Sequence, residues 1–444
     1  MITTSLSPNQ QLQPLSTAVN AKGHLTVGGC DVVDLAAQYG TPLYIIDEKT
    51  LRTAGEQYVE ALTRYYPGSS QAIFASKAWS MLAICAIVHQ SGLGIDVVSA
   101  GELLTALKAG VPGSSIYFHG NNKSREEVDF AIRSGVTVVA DNWTDIDLLS
   151  ELAIDQPARV MVRVTPGIEC HTHDYIRTGH LDSKFGFDPN QLLDVLTRLA
   201  NSPNLRTVGL HAHIGSQIFE LQPHVDTVDV LVEWFPKAQA LGLSEFNELN
   251  IGGGLGIRYT ESDDPPSIEA WVRAIAEALV SACQRTGLPL PKLLCEPGRS
   301  LVATACVTAY TIGATKTVPG VRTYACVDGG MSDNPRPITY GAKYSAVVAN
   351  KMQETRRETV TIAGKHCESG DVLLRDIALA PLERGDCLTV FSTGAYNCSM
   401  ASNYNRLTRP AAVLVADGEA TIVLKRESLD DLLRFDCLPE RLKS

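Results

Sequence analysis

The chain has 444 residues, 45% of them apolar and 20% charged, with a formal net charge of -11. That length exceeds one ordinary core, so two globular domains are expected, and the acidic balance without any Lys/Arg-rich run argues against nucleic acid and membrane surfaces as partners. The longest pure apolar run, MLAICAIV at 81–88, is far short of a bilayer span, and eleven cysteines without a C-x-x-C pair point to reduced thiols in a cytoplasm.

In chain order, residues 1 to about 20 are Ser/Thr-rich, carry no signal-peptide pattern and are expected to form a loose tail. HLTVGGCDVV (24–33) is strand-like and is expected to join a later β-domain, which makes 1–40 an N-terminal tail and strand. From 41 to 300, β-branched runs alternate with helical patterns. The predicted strands are AIFAS (72–76), GIDVVS (94–99), SIYFHG (115–120), VTVVAD (136–141), RVMVRVT (159–165), TVGLHAHIG (207–215), ELNIGG (248–253) and KLLCEPG (292–298). Eight strands with crossover helices favour a parallel (β/α)8 barrel over an open doubly wound sheet. After about 300 the pattern alternates in twos, and Asp417-Gly418 between two strand-like runs signals a hairpin, so 301–444 is expected to be an antiparallel β-domain.

A barrel of this kind carries its active site at the C-terminal strand ends. Those ends hold Lys77, Asp96, Arg163, His213 with Ser216, the Gly252–Gly254 run and Glu296-Pro297-Gly298-Arg299. Counting by two from Ile73 puts Ala75 and Lys77 on one face, so Lys77 either snorkels to water or has a chemical task. GGGLG (252–256) fits neither the dinucleotide fingerprint nor a P-loop; it is a bare tight turn or a backbone cradle for phosphate, with Ser216 adding a hydroxyl. Glu296 could be a structural ion pair, a metal ligand or the partner of a protonated ring nitrogen. HAH (211–213) and HTHD (171–174) invite a metal reading, whereas a flat His213 stacked on a cofactor ring is the sharper one. Lysine, phosphate cradle and ring-facing carboxylate together describe pyridoxal 5'-phosphate, with no metal. In the C-terminal part, HCESGD (366–371) sets a thiol beside a carboxylate, Arg336 stands between two prolines in an expected rigid loop, and Tyr396 lies in a polar loop.

FASKAW (74–79), TGHLDSKFGF (178–187), HIGSQ (213–217), GGGLGI (252–257), EPGRSLVA (296–303), CESGD (367–371) and SMASNYN (399–405) occur in an order that resembles the fold-type III pyridoxal-phosphate-dependent decarboxylases, from about 40 to about 410. Trp79 stands where asparagine is common in that family, and Asn334-Pro335 precedes Arg336 in a loop that departs from its pattern. The resemblance implies that Lys77 carries the cofactor covalently, Glu296 faces its pyridine nitrogen and His213 stacks on its ring. Ser216, Gly253, Gly254, Gly298, Arg299 and Tyr396 would hold cofactor phosphate, with Asp96 and Arg163 in support. Arg299, Arg336, Tyr340, Glu368 and Tyr396 would bind substrate, and Cys367 would donate the proton. Cys367 and Glu368 would come from the neighbouring subunit, which implies a homodimer. Arg336 beside Glu368 suits a distal carboxylate plus amine, hence conversion of meso-2,6-diaminopimelate to L-lysine and CO2 in lysine biosynthesis. Alternatives are decarboxylation of ornithine, arginine or carboxynorspermidine on the same fold, or a metal-dependent barrel hydrolase.

Overall fold

Eight parallel strands pair in sequence: β1 (Ser70–Ala75), β2 (Gly94–Val97), β3 (Ile116–Phe118), β4 (Thr137–Ala140), β5 (Ala158–Arg163), β6 (Leu205–His211), β7 (Glu248–Asn250) and β8 (Lys292–Cys295). Leu293 of β8 then pairs with Ser70 of β1 and closes the barrel. The computed structural model that reveals this describes residues 7–168 and 183–443; HTHD and the first part of TGHLDSKFGF lie outside them. Six strands send Ile73, Tyr117, Val139, Met161, Val208 and Leu294 into one buried interior cluster. Each such aliphatic side chain contributes about 1.5–3 kcal/mol on burial. At the N-terminal ends of the strands, Glu248 accepts from Tyr117 Oη at 3.0 Å and Arg159 Nη2 at 2.9 Å, a polar plug beneath that cluster.

The short connections after β2, β3 and β4 end in helix caps. Ser99, Ser124 and Asn142 accept the backbone N–H groups of Glu102, Glu127 and Asp145, each cap being worth about 1 kcal/mol. Because the helices start so close to the strands, little slack remains at the mouth of the barrel. The expected loose tail is corrected from residue 7 onward. Asn9 is buried, its Nδ2 donates to the carbonyls of Gly256 (3.1 Å) and Pro266 (2.8 Å), and its own carbonyl accepts from Arg258 N.

By internal contacts the chain forms two units. The barrel unit comprises the N-terminal segment through Gln11 with Leu51–Arg258 and Ser262–Val302; the second comprises Leu12–Thr50, Tyr259–Glu261 and the chain from Ala303 onward. Leu43–Asp47, inside the range 41–300 read as barrel, is a central strand of the second unit. All five residues are buried, and they pair antiparallel to Cys306–Val318 and parallel to Ala411–Ala416. Arg322–Val327 and Glu358–Ala363 also run parallel, so the expected antiparallel domain is a mixed sheet. Leu25–Val27 forms a small three-stranded sheet of its own, yet Leu25 and Val27 share a core with Ile45, Val307 and Val413. The Asp417-Gly418 hairpin is present, both residues having the positive φ (51° and 85°) that a tight turn of this hand requires. No helix among the described residues is long and apolar enough to cross a membrane.

Candidate active site

The C-terminal ends of the barrel strands gather most of the residues singled out in the sequence. β1 stops at Ala75, two residues earlier than the alternation implied, and Ser76–Ala78 turns as a 3-10 helix that presents Lys77 to solvent. Ser76 is held by Glu102, whose Oε2 accepts from its hydroxyl at 3.1 Å. Asp96 is buried in β2, Arg163 ends β5, and Glu296 follows β8 directly. Lys77 acts electrostatically on both Asp96 and His213, and Arg163 acts on Asp96, His213 and Glu296, which places these groups within one field.

Glu296 is the most constrained of them. Asn250 Nδ2 donates to its Oε1 at 2.7 Å and His211 Nε2 contacts its Oε2 at 3.0 Å, while His119 Nε2 stands 2.8 Å from Oε1. Burial alone would raise its pKa; attraction to His119 and then His211 reverses this and holds the carboxyl well below the usual range. Asp96 goes the other way. Burial first, and then the like charge of Glu296, push it up to about 6, against the pull of His119 and Lys77. Burial lowers His211 to about 4, so its imidazole is neutral at pH 7. The two histidines of HAH do not converge: His211 meets Glu296 and His119, whereas His213 Nδ1 accepts the backbone N–H of Gly253. Burial, then the positive charges of Lys77 and Arg163, keep His213 uncharged, as a flat apolar ring surface requires.

The glycine run has the shape of a cradle. A Cβ on Gly252 would lie 2.5 Å from the Ala212 carbonyl oxygen, and one on Gly253 would strike the Glu296 carbonyl oxygen, so only glycine lets this loop lie against β6 and β8. Gly252 N–H is taken by Asn250 Oδ1 and Gly253 N–H by His213. The N–H groups of Gly254 and Gly298 have no acceptor among the described residues, as a bound phosphate would require. Arg299 donates to Ser216 Oγ from Nε and Nη2, at 3.2 and 2.9 Å, so these two predicted phosphate residues are already in contact.

In the second unit, Arg336 begins a short helix, Arg336–Tyr340, rather than lying in a rigid loop, because Pro337 suits its first turn. Arg336 is buried, donates from Nη1 to Tyr344 Oη at 2.7 Å and lies 4.9 Å over the Tyr259 ring, while its Nε has no partner among the described residues. Tyr340 is exposed, and half-buried Tyr396 carries a positive φ of 68°. Cys367 and Glu368 are exposed on a loop held by its buried flanks, His366 and Asp371, whose side chains meet at 2.6 Å. All ten cysteines among the described residues are free. Sequence reading missed His119, Asn250, Tyr259, Tyr344 and the His366–Asp371 pair. For His119 a signal existed, since it stands next to last in the predicted strand SIYFHG.

Residues 51–303 match the family model described as the pyridoxal binding domain of pyridoxal-dependent decarboxylases, which defines the class of the barrel. The chain is 59% identical to the diaminopimelate decarboxylase of Synechocystis sp., covering 99% of this chain and 96% of that one. It is 46% identical to that of Bacillus subtilis, covering 94% and 96%. A crystal structure of the M. jannaschii diaminopimelate decarboxylase in complex with L-lysine superposes with a TM-score of 0.91 at 32% identity, covering 99% of this chain and all of that one. The chain belongs to the diaminopimelate decarboxylase family. It is a pyridoxal-phosphate-dependent enzyme, and the metal-hydrolase alternative is set aside.

Proposed function

We propose that this chain decarboxylates meso-2,6-diaminopimelate to L-lysine and carbon dioxide, the last step of lysine biosynthesis. The observation that carries the reading is the barrel mouth, where an exposed lysine amine, two glycine N–H groups without an acceptor among the described residues and a buried, ionised carboxylate stand at the strand ends. Full-length relatives named for this decarboxylase supply the substrate.

Those residues fit pyridoxal 5'-phosphate. Lys77 would carry it covalently, and Ser216, Gly254, Gly298, Arg299 and Tyr396 would hold its phosphate, with Gly253, whose N–H goes to His213, shaping the cradle. His213 would pack on its ring and Glu296 would face the ring nitrogen, with Asp96 and Arg163 behind. Bound there, the cofactor supplies an electron sink for the pair left when a carboxylate departs as carbon dioxide.

The chain's own groups do the remaining work. Arg336, whose Nη1 donates to Tyr344 Oη, would take the distal carboxylate of the substrate, a charge-assisted contact. Glu368 would take the distal amine, with Arg299, Tyr340 and Tyr396 completing the grip. Cys367 Sγ would deliver a proton to the carbon that has lost its carboxylate, a transfer typically worth ~10²–10⁴-fold. The reading extends to a cytoplasmic homodimer in which Cys367 and Glu368 serve the neighbouring subunit. Its support is their exposure on a buttressed loop and the ten free thiols.

Carbon dioxide release from meso-diaminopimelate, ornithine and arginine tests the substrate, and release from ornithine or arginine alone would overturn it. Mixing inactive Lys77→Ala and Cys367→Ala enzymes tests the shared site. Random reassortment should restore about a quarter of wild-type activity, and no recovery after verified exchange would refute sharing.

A further inference from the structure

We infer that His119 is a positioning residue for Glu296: wedged between the Glu296 and Asp96 carboxylates, it allows both to stand side by side in the buried mouth of the barrel. The inference rests on Glu296 being the cofactor-facing acid, and it concerns a residue that neither the strand-end pattern nor the family resemblance singled out.

The geometry is specific. His119 Nε2 is 2.8 Å from Glu296 Oε1 and 3.8 Å from Asp96 Oδ1, and all three side chains are more than nine-tenths buried. Its ring meets His211 edge-on, with centroids 4.6 Å apart. His119 Nε2 lies in direct contact with one carboxylate and about 1 Å farther from the other, and it pulls the Glu296 pKa down by attraction and by hydrogen bonding. Two buried carboxylates in one field repel, and without compensation one of them takes up a proton. The other groups facing Glu296 do not replace His119. Asn250 and His211 are neutral donors, and His213 is uncharged. Arg163 also faces Asp141, with Nη1 3.6 Å from Asp141 Oδ2, and carries its guanidinium 4.3 Å over the Phe185 ring. Tyr117 and Cys295, also buried nearby, bring no positive charge. His119 is the group that touches Glu296 while facing Asp96.

The test is made on cofactor-free protein. Carboxyl-13C-glutamate NMR, with Glu296→Gln to assign the signal, follows the titration of Glu296 in wild type, His119→Gln and His119→Asn. Removing His119 should raise the Glu296 midpoint by about one pH unit or more. Equilibrium titration with pyridoxal phosphate should show binding at least tenfold weaker, and the acid limb of kcat should move to higher pH while KM changes little. An unmoved Glu296 midpoint in folded variants overturns the inference. If neither variant folds, the wild-type measurement decides: a Glu296 midpoint at or above the ordinary glutamate range refutes it. Failure of the cofactor-facing assignment is separately visible, because Glu296→Gln would then bind cofactor with an unchanged ring spectrum whatever the NMR shows.

Discussion

His224→Leu should make the barrel less sensitive to acid. His224 is the third residue of the helix Gln222–Val232; it is fully buried, and neither ring nitrogen has a hydrogen-bond partner among the described residues. Its ring meets Trp271 edge-on at 5.2 Å, and its Cε1 would lie 2.9 Å from a Cβ on Gly254, so it underlies the glycine cradle. Burial lowers its pKa from 6.5 to about 3. The unfolded chain therefore binds a proton as pH falls below 6.5, whereas the folded chain does not until about 3. Stability contributed by the neutral form is lost progressively as pH falls through that window, at about 1.4 kcal/mol per unit. Between pH 7 and pH 5 the loss comes to about 2 kcal/mol. Leucine has no proton to bind and leaves no unpaired nitrogen, which at neutral pH should add about 1–3 kcal/mol of stability. Urea unfolding of the cofactor-free enzyme at both pH values, followed by tryptophan fluorescence, measures the difference. Equal pH dependence in wild type and variant, at equal urea slopes, would refute the reasoning.

Three further outcomes are expected. Gly253→Ala sets a Cβ, whose position the backbone fixes, against the main-chain carbonyl oxygen of Glu296, so no rotamer change relieves it. Destabilisation of about 1–3 kcal/mol should appear in urea unfolding, with pyridoxal phosphate binding weakened tenfold or more by equilibrium titration. Lys77→Ala should leave no cofactor mass on the chain after borohydride reduction; retained mass would move the attachment elsewhere. Cys367→Ala should keep cofactor binding and lose turnover by ~10²-fold or more in a carbon dioxide assay, since only the proton delivery is removed.

The eight barrel strands were legible because each is a short run of β-branched and aliphatic residues between helical patterns, a local property. Lys77 and Glu296 drew attention only as members of a set: each alone has an innocent explanation, but a succession of strand ends with polar or glycine chemistry does not. His119 stands at such a strand end too, but a lone histidine there reads as a satisfied core residue. Its meaning appears only when barrel closure brings the end of β3 near Glu296, 177 positions away in the chain (296 minus 119). Leu43–Asp47 shows the same limit from another side. Its apolar run announces a buried strand, but the choice of sheet is made by partners at 306–309 and 411–415. Ser7–Gln11 gave no apolar signal because side-chain amides bonded to main-chain carbonyls hold it.

The CESGD segment separates two kinds of work that its sequence runs together. The Asp371 carboxylate accepts from Met331 N at 2.7 Å and His366 N at 3.1 Å and meets His366 Nδ1 at 2.6 Å. It fills the space where a Cβ on Gly330 or Gly364 would lie, so neither position tolerates a side chain without displacing the carboxylate. Gly330 N in turn donates to Asp333 Oδ1 at 2.8 Å, while the other oxygen of Asp333 takes the Tyr310 hydroxyl. The turn that leads into Arg336 and the loop that carries Cys367 are thus fastened to one buried carboxylate. Asp371 and His366 bear the structural load, and Cys367 and Glu368 are left exposed, Cys367 anchored through its backbone N–H to Asn405. Backbone on so stiff a support gives up little conformational entropy when the residues it carries meet a substrate, which is the physical ground for proposing Cys367 as proton donor and Glu368 as partner of the substrate's amine.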